Sequence, residues 1–103
     1  MNNEIDQMLS SYSLKGEGSI LDILVDIASE EEIRNYCWEV LNSYPSLKKE
    51  SWLIGLEGGD YIYSFDSNFI FITDDIWCFN LVGKPAVLEL LAGKIRELQK
   101  RDI

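Results

Sequence analysis

The chain has 103 residues, enough for one domain with a modest core, and carries 18 acidic against 9 basic side chains, a net charge of −9. With 47% hydrophobic and 12% aromatic residues it can bury enough surface to fold, which sets it apart from acidic disordered chains. It contains no histidine, so Ser-His-Asp and Cys-His catalysis and every His-ligated zinc site are excluded.

The opening Met-Asn-Asn-Glu-Ile-Asp lacks the basic start and apolar run of a secretion signal, and no apolar run approaches the length of a membrane span. The expected location is the cytoplasm. Ile5, Met8, Leu9 and Tyr12 follow helical spacing and predict an amphipathic helix over 3–14. Gly16 and Gly18 then predict a turn. The apolar run 20–28 reads as a short, largely buried helix, with a strand as the alternative. Ser29-Glu30-Glu31-Glu32 has the form of a capping box, and Ile33, Tyr36, Cys37, Val40, Leu41 and Tyr44 continue it as a helix that Pro45 ends.

Beyond Lys48-Lys49 the period changes to that of strands. The runs 52–57, 60–65, 69–73 and 76–82 are rich in Ile, Phe, Tyr and Trp. Gly58-Gly59, Asp66-Ser67-Asn68 and Asp74-Asp75 separate them as hairpin turns. Pro85 opens a last helix with Leu91, Ile95 and Leu98 on its apolar stripe. The order predicts an α+β domain: three N-terminal helices, a four-stranded antiparallel meander and a C-terminal helix.

With those loop lengths, Trp52, Ile54, Leu56, Tyr61, Tyr63, Phe65, Phe69, Phe71, Ile76 and Cys78 share one face of the sheet. Leu53, Ile62, Ile70, Ile72, Trp77, Phe79 and Leu81 share the other. Both faces are apolar, so either helices cover both or one carries a partner. Cys37 and Cys78 lie among apolar neighbours and read as two buried free thiols.

The charge is uneven. Glu50 to Gly83 holds Glu50, Glu57, Asp60, Asp66, Asp74 and Asp75 over 34 residues with no cation, and most of the aromatics crowd the same stretch. Such a stretch repels nucleic acid and anionic membrane and attracts basic surfaces. No phosphate loop, dinucleotide fingerprint or nucleophile elbow is present. Asp74 and Asp75 could be drawn as an acid–base pair, or with Asp60 and Asp66 as cation ligands, but aspartates at hairpin tips more commonly cap turns. No cofactor, metal or small-molecule substrate is expected, and the chain reads as a binding protein rather than an enzyme.

The whole-chain profile, about a hundred residues, acidic, one α+β domain and no catalytic motif, resembles the immunity proteins of bacterial contact-dependent growth inhibition systems. Trp52 to Val82, with its aspartates among aromatics, suits their kind of surface. The resemblance implies one cognate basic partner, a toxin domain of nuclease type, neutralised by occlusion of its active site. Candidate contacts are Asp60, Tyr61, Tyr63, Asp66, Asp74, Asp75 and Trp77, or alternatively a helical face with Asp26, Glu30 and Glu31. An acidic DNA mimic that inhibits a nucleic-acid-binding protein, and an adaptor subunit of a larger assembly, are the competing readings.

Overall fold

The computed structural model describes residues 4–102. In chain order the elements are α1 (Glu4–Ser11), β1 (Gly18–Ser19), α2 (Ile20–Leu24), α3 (Glu30–Asn42), β2 (Lys48–Gly55), β3 (Gly58–Phe65), β4 (Asn68–Asp75), β5 (Phe79–Gly83) and α4 (Pro85–Arg101). The first residue of the expected 3–14 helix lies outside the described residues, and within them α1 is shorter at its C-terminal end than expected. The domain is α+β with an antiparallel sheet and a C-terminal helix.

The sheet has five strands, in the order β1-β5-β4-β3-β2, where the sequence predicts four. The additional strand comes from the glycine-flanked segment read as a turn. Gly18 and Ser19 pair with Gly83 and Val82. Ser19 then caps α2, its Oγ accepting from the Leu21 N–H at 3.1 Å, and donates its hydroxyl proton to Asn80 Oδ1. One residue thus ends a strand and starts a helix; α2 begins where expected, at Ile20, but ends at Leu24 after five residues, short of the expected 20–28. The capping box of α3 forms as its sequence requires: Glu32 N–H donates to Ser29 Oγ, and Ser29 N–H donates to Glu32 Oε1 at 2.9 Å. The Ser29 backbone N–H first, and then the Ser29 side chain, hold the Glu32 carboxyl below its ordinary pKa.

Three turns fall elsewhere than expected, and the first of them changes the faces. The β3–β4 connection is two residues, Asp66 and Ser67, both at positive φ (47° and 67°), so Phe65 pairs with Asn68 rather than Phe69. A one-residue slip moves a whole strand's side chains to the opposite face. Ile70, Ile72, Phe79 and Leu81 therefore join Tyr61, Tyr63 and Phe65, while Phe69 and Phe71 join Leu53 and Ile62. The second shifted turn is Leu56-Glu57, with Gly58 and Gly59 already in β3, and it leaves Trp52 and Ile54 on the face of Tyr61 and Tyr63 as expected. Ile76 to Cys78 form a turn, not the start of a strand.

Helices lie on both faces, unequally. On the first, Phe65, Ile70, Ile72, Phe79 and Leu81 pack with α2, α3 and α4 through Leu24, Cys37, Leu41, Leu88 and Leu91. On the second, Met8 and Leu14 of the N-terminal segment pack on Ile62 and Phe71 in a smaller cluster. The helices do not reach the β2 side of the first face, where Trp52 and Ile54 are exposed. Among the described residues no helix is long and apolar enough to cross a membrane.

The expectation of two buried thiols is corrected. Cys37 is buried beneath α3, and desolvation pushes its thiol up to about 12. Cys78 is exposed, because it belongs to the β4–β5 turn rather than to a strand. An aromatic disulfide reagent applied to the native protein at pH 8 should therefore release one equivalent of chromophore promptly, from Cys78. The second equivalent should appear only on unfolding; prompt release of two would contradict the burial of Cys37.

Candidate protein-docking surface

The β2–β3 and β4–β5 turns meet at one end of the sheet. Gly58 pairs with Asp75, and the Ile76 N–H donates to the Glu57 carbonyl at 2.9 Å. The indole Nε1–H of Trp77 donates to Glu57 Oε2 at 2.5 Å. Gly58 makes this junction possible, since its φ of 140° is one that other residues rarely adopt.

The junction presents apolar side chains to solvent. Leu56 is fully exposed, Ile76 is 70% exposed and Trp77 is 76% exposed. Scattered exposed apolar residues are ordinary, but two connected turns carrying three of them are a patch. Carboxylates surround it. Glu57 lies within it, and Asp75 forms the base of the second turn. Asp60 stands on the adjoining strand, where it accepts from Thr73 Oγ1 at 2.7 Å. The first turn of α3 reaches the same end, with Glu30 Oε2 accepting from the Phe79 N–H at 2.9 Å.

The predicted contact residues divide among four places. Asp60, Asp75 and Trp77 belong to this end. Asp74 is not at a hairpin tip: it ends β4 on the first face, its side chain 15% exposed, accepting from Arg34 Nε at 2.8 Å and Trp38 Nε1 at 2.9 Å. Tyr61 and Tyr63 lie along the first face. The Lys49 ammonium sits 5.1 Å from the Tyr61 ring centroid and 5.8 Å from that of Trp52. Tyr63 meets Trp38 edge-on at 5.5 Å, and its phenol is pushed up in pKa by burial first, with Tyr61 and Asp74 adding to the effect. Asp66 is at the opposite end of the sheet, tied to Ser46 by two hydrogen bonds. Of the alternative set, Glu30 joins the tip and Asp26 sits exposed ahead of α3.

Sequence reasoning missed Leu56, Glu57 and Ile76 as surface residues. Placing the turns at Gly58-Gly59 and Asp74-Asp75 assigned both apolar residues to a sheet face. The available signal was an apolar residue directly beside an acidic one at each strand end.

The two adjacent aspartates do not face each other as an acid–base pair. Asp74 and Asp75 are sequence neighbours on opposite sides of the sheet, and each already has hydrogen-bond donors. Asp75 accepts from the Cys78 and Trp77 N–H groups, both at 2.8 Å, and these hold its carboxyl below the usual aspartate range. Among the described residues no group of three or more thiols and carboxylates is placed to hold a metal ion. Protein-family models, curated proteins and solved structures return no match to this chain.

Proposed function

We propose that the chain is an immunity protein of the contact-dependent growth inhibition kind. On this reading it binds one cognate toxin domain, basic and of nuclease class, and occludes its active site. The observation that carries the proposal is the turn junction: Leu56, Ile76 and Trp77 exposed together, with Glu57, Asp75 and Glu30 around them. A buried apolar centre with a polar rim is the anatomy of a protein interface, and Trp is a frequent anchor. Carboxylates at the rim suit a partner whose groove is built to hold phosphates, and they speed its capture at low salt.

The test uses the polypeptide encoded beside this chain, since toxin and immunity protein are expected to be encoded together. Titration calorimetry should give a tight 1:1 complex whose formation abolishes nuclease activity. Trp77→Ala should weaken it by about 100-fold or more, and Asp66→Asn, at the far end of the sheet, should leave it unchanged. Absence of a complex, or a complex indifferent to Trp77, sinks the proposal.

A further inference from the structure

We propose that β2 is a self-complementary edge through which two copies of the chain pair into one continuous sheet. Only β1 and β2 lie at the edges of the sheet, and β1 is two residues long, so β2 is its one extended edge among the described residues. Edge strands attract foreign strands unless charge, proline or a bulge blunts them. The first half of β2 is blunted in that way, by Lys48, Lys49 and an irregularity between Lys49 and Ser51. Its second half, Ser51 to Gly55, has a regular register and no charge, and it carries exposed Trp52 and Ile54 on one face.

The midpoint of that regular stretch is Leu53. Antiparallel pairing of two copies about Leu53 sets Trp52 of each beside Ile54 of the other. Both are first-face residues, as cross-strand neighbours must be. The same twofold brings the Lys48-Lys49 end of each strand to the Leu56-Glu57 end of the other. Glu50 is turned in to Ser64, whose hydroxyl donates to its Oε2 at 2.6 Å. β2 with the turn that follows it therefore runs from the Lys48-Lys49 cations through the uncharged Ser51–Gly55 stretch to Glu57, an order matched to an inverted copy of itself. That internal polarity, inside a chain of net −9, is the argument for a second copy rather than a foreign basic strand, for which the lysines would be repulsive. Ile76 and Trp77 belong to the turn between β4 and β5 and stay uncovered, while Leu56 and Glu57 belong to both surfaces. Ile54→Lys, which lies outside the proposed toxin surface, and Trp77→Ala, which lies outside the pairing, therefore separate the two readings.

Sedimentation of the full chain from about 1 μM to about 500 μM covers the range of a small interface. The mass should rise from 11.8 kDa towards twice that value. Lys49→Glu and Glu57→Lys should each move the midpoint about tenfold towards monomer, because each sets like charges together twice. An equimolar mixture of the two variants should recover the wild-type association, since every contact is then between opposite charges. Ile54→Lys should remain monomeric with an unchanged circular dichroism spectrum. A wild-type chain monomeric throughout the range overturns the proposal and leaves the edge to a foreign strand. A dimer that ignores all three substitutions overturns it in favour of another surface.

Discussion

Replacing Gly58 by alanine is expected to remove about 3 kcal/mol or more of stability and to disorganise the end of the sheet where the two turns join. A Cβ added there would lie 2.4 Å from the Asp74 carbonyl oxygen and 2.4 Å from the Asp75 Cα, both backbone atoms that cannot swing aside. The φ of 140° adds strain of its own. Relief requires β3 and β4 to separate at their ends, which breaks the pairing that seats Ile76 and Trp77. Urea unfolding measures the loss, and the near-ultraviolet circular dichroism of Trp77 reports the local change. Gly93→Ala is the counterpart. It lies in α4 with nothing within 4 Å of the new methyl, and should stabilise by about 0.5–1 kcal/mol. A Gly58→Ala variant as stable as wild type would contradict the described junction.

Asp74→Ala should cost about 1–3 kcal/mol. The carboxylate accepts from the half-buried Trp38 indole and from Arg34. Arg34 is 46% exposed and can turn to water, so its share is small. The indole N–H has less freedom, and leaving it without an acceptor supplies most of the loss. Trp38→Phe in the Asp74→Ala background should then cost little further, because no orphaned donor remains. The double-mutant cycle accordingly shows strong coupling, and additive losses would mean that the bond contributes nothing. Since this bond ties α3 to β4, it also fixes where Glu30 stands relative to the docking end.

The elements that were legible in the sequence are those whose start and stop are written locally. Ser29 and Glu32 mark the start of α3 and Pro45 its end; Pro85 and the stripe through Leu91 and Ile95 mark α4. The meander was legible too, but not its register. Asp66 and Ser67 adopt positive φ without a glycine, so the shorter loop had no sequence signature, and one residue of loop length exchanged the faces of β4 and β5. At Leu56-Glu57 the glycine follows the turn instead of occupying its centre, and the neighbouring apolar residue was read as part of a strand. The strand Gly18–Ser19 is too short for any propensity to reveal, and exists because β5 offers it a ladder. The acidic and aromatic character of the candidate surface was therefore readable, while its shape depended on turns that were not.

The pairing of Gly18 with Gly83 also says something about the order in which the molecule is made. β2 to β5 are joined by short turns and can zip as soon as each hairpin has emerged from the ribosome. The main core cannot follow, because Leu24 and Leu41 need Leu88 and Leu91 before they are enclosed. The side-chain amide of Gln99 then donates to the Ile27 carbonyl, fastening the last helix to the segment ahead of α3. Such distant contacts form late and slow the search. During synthesis the core faces of α2 and α3 therefore stay incompletely covered until α4 has emerged, and only then is the main core enclosed.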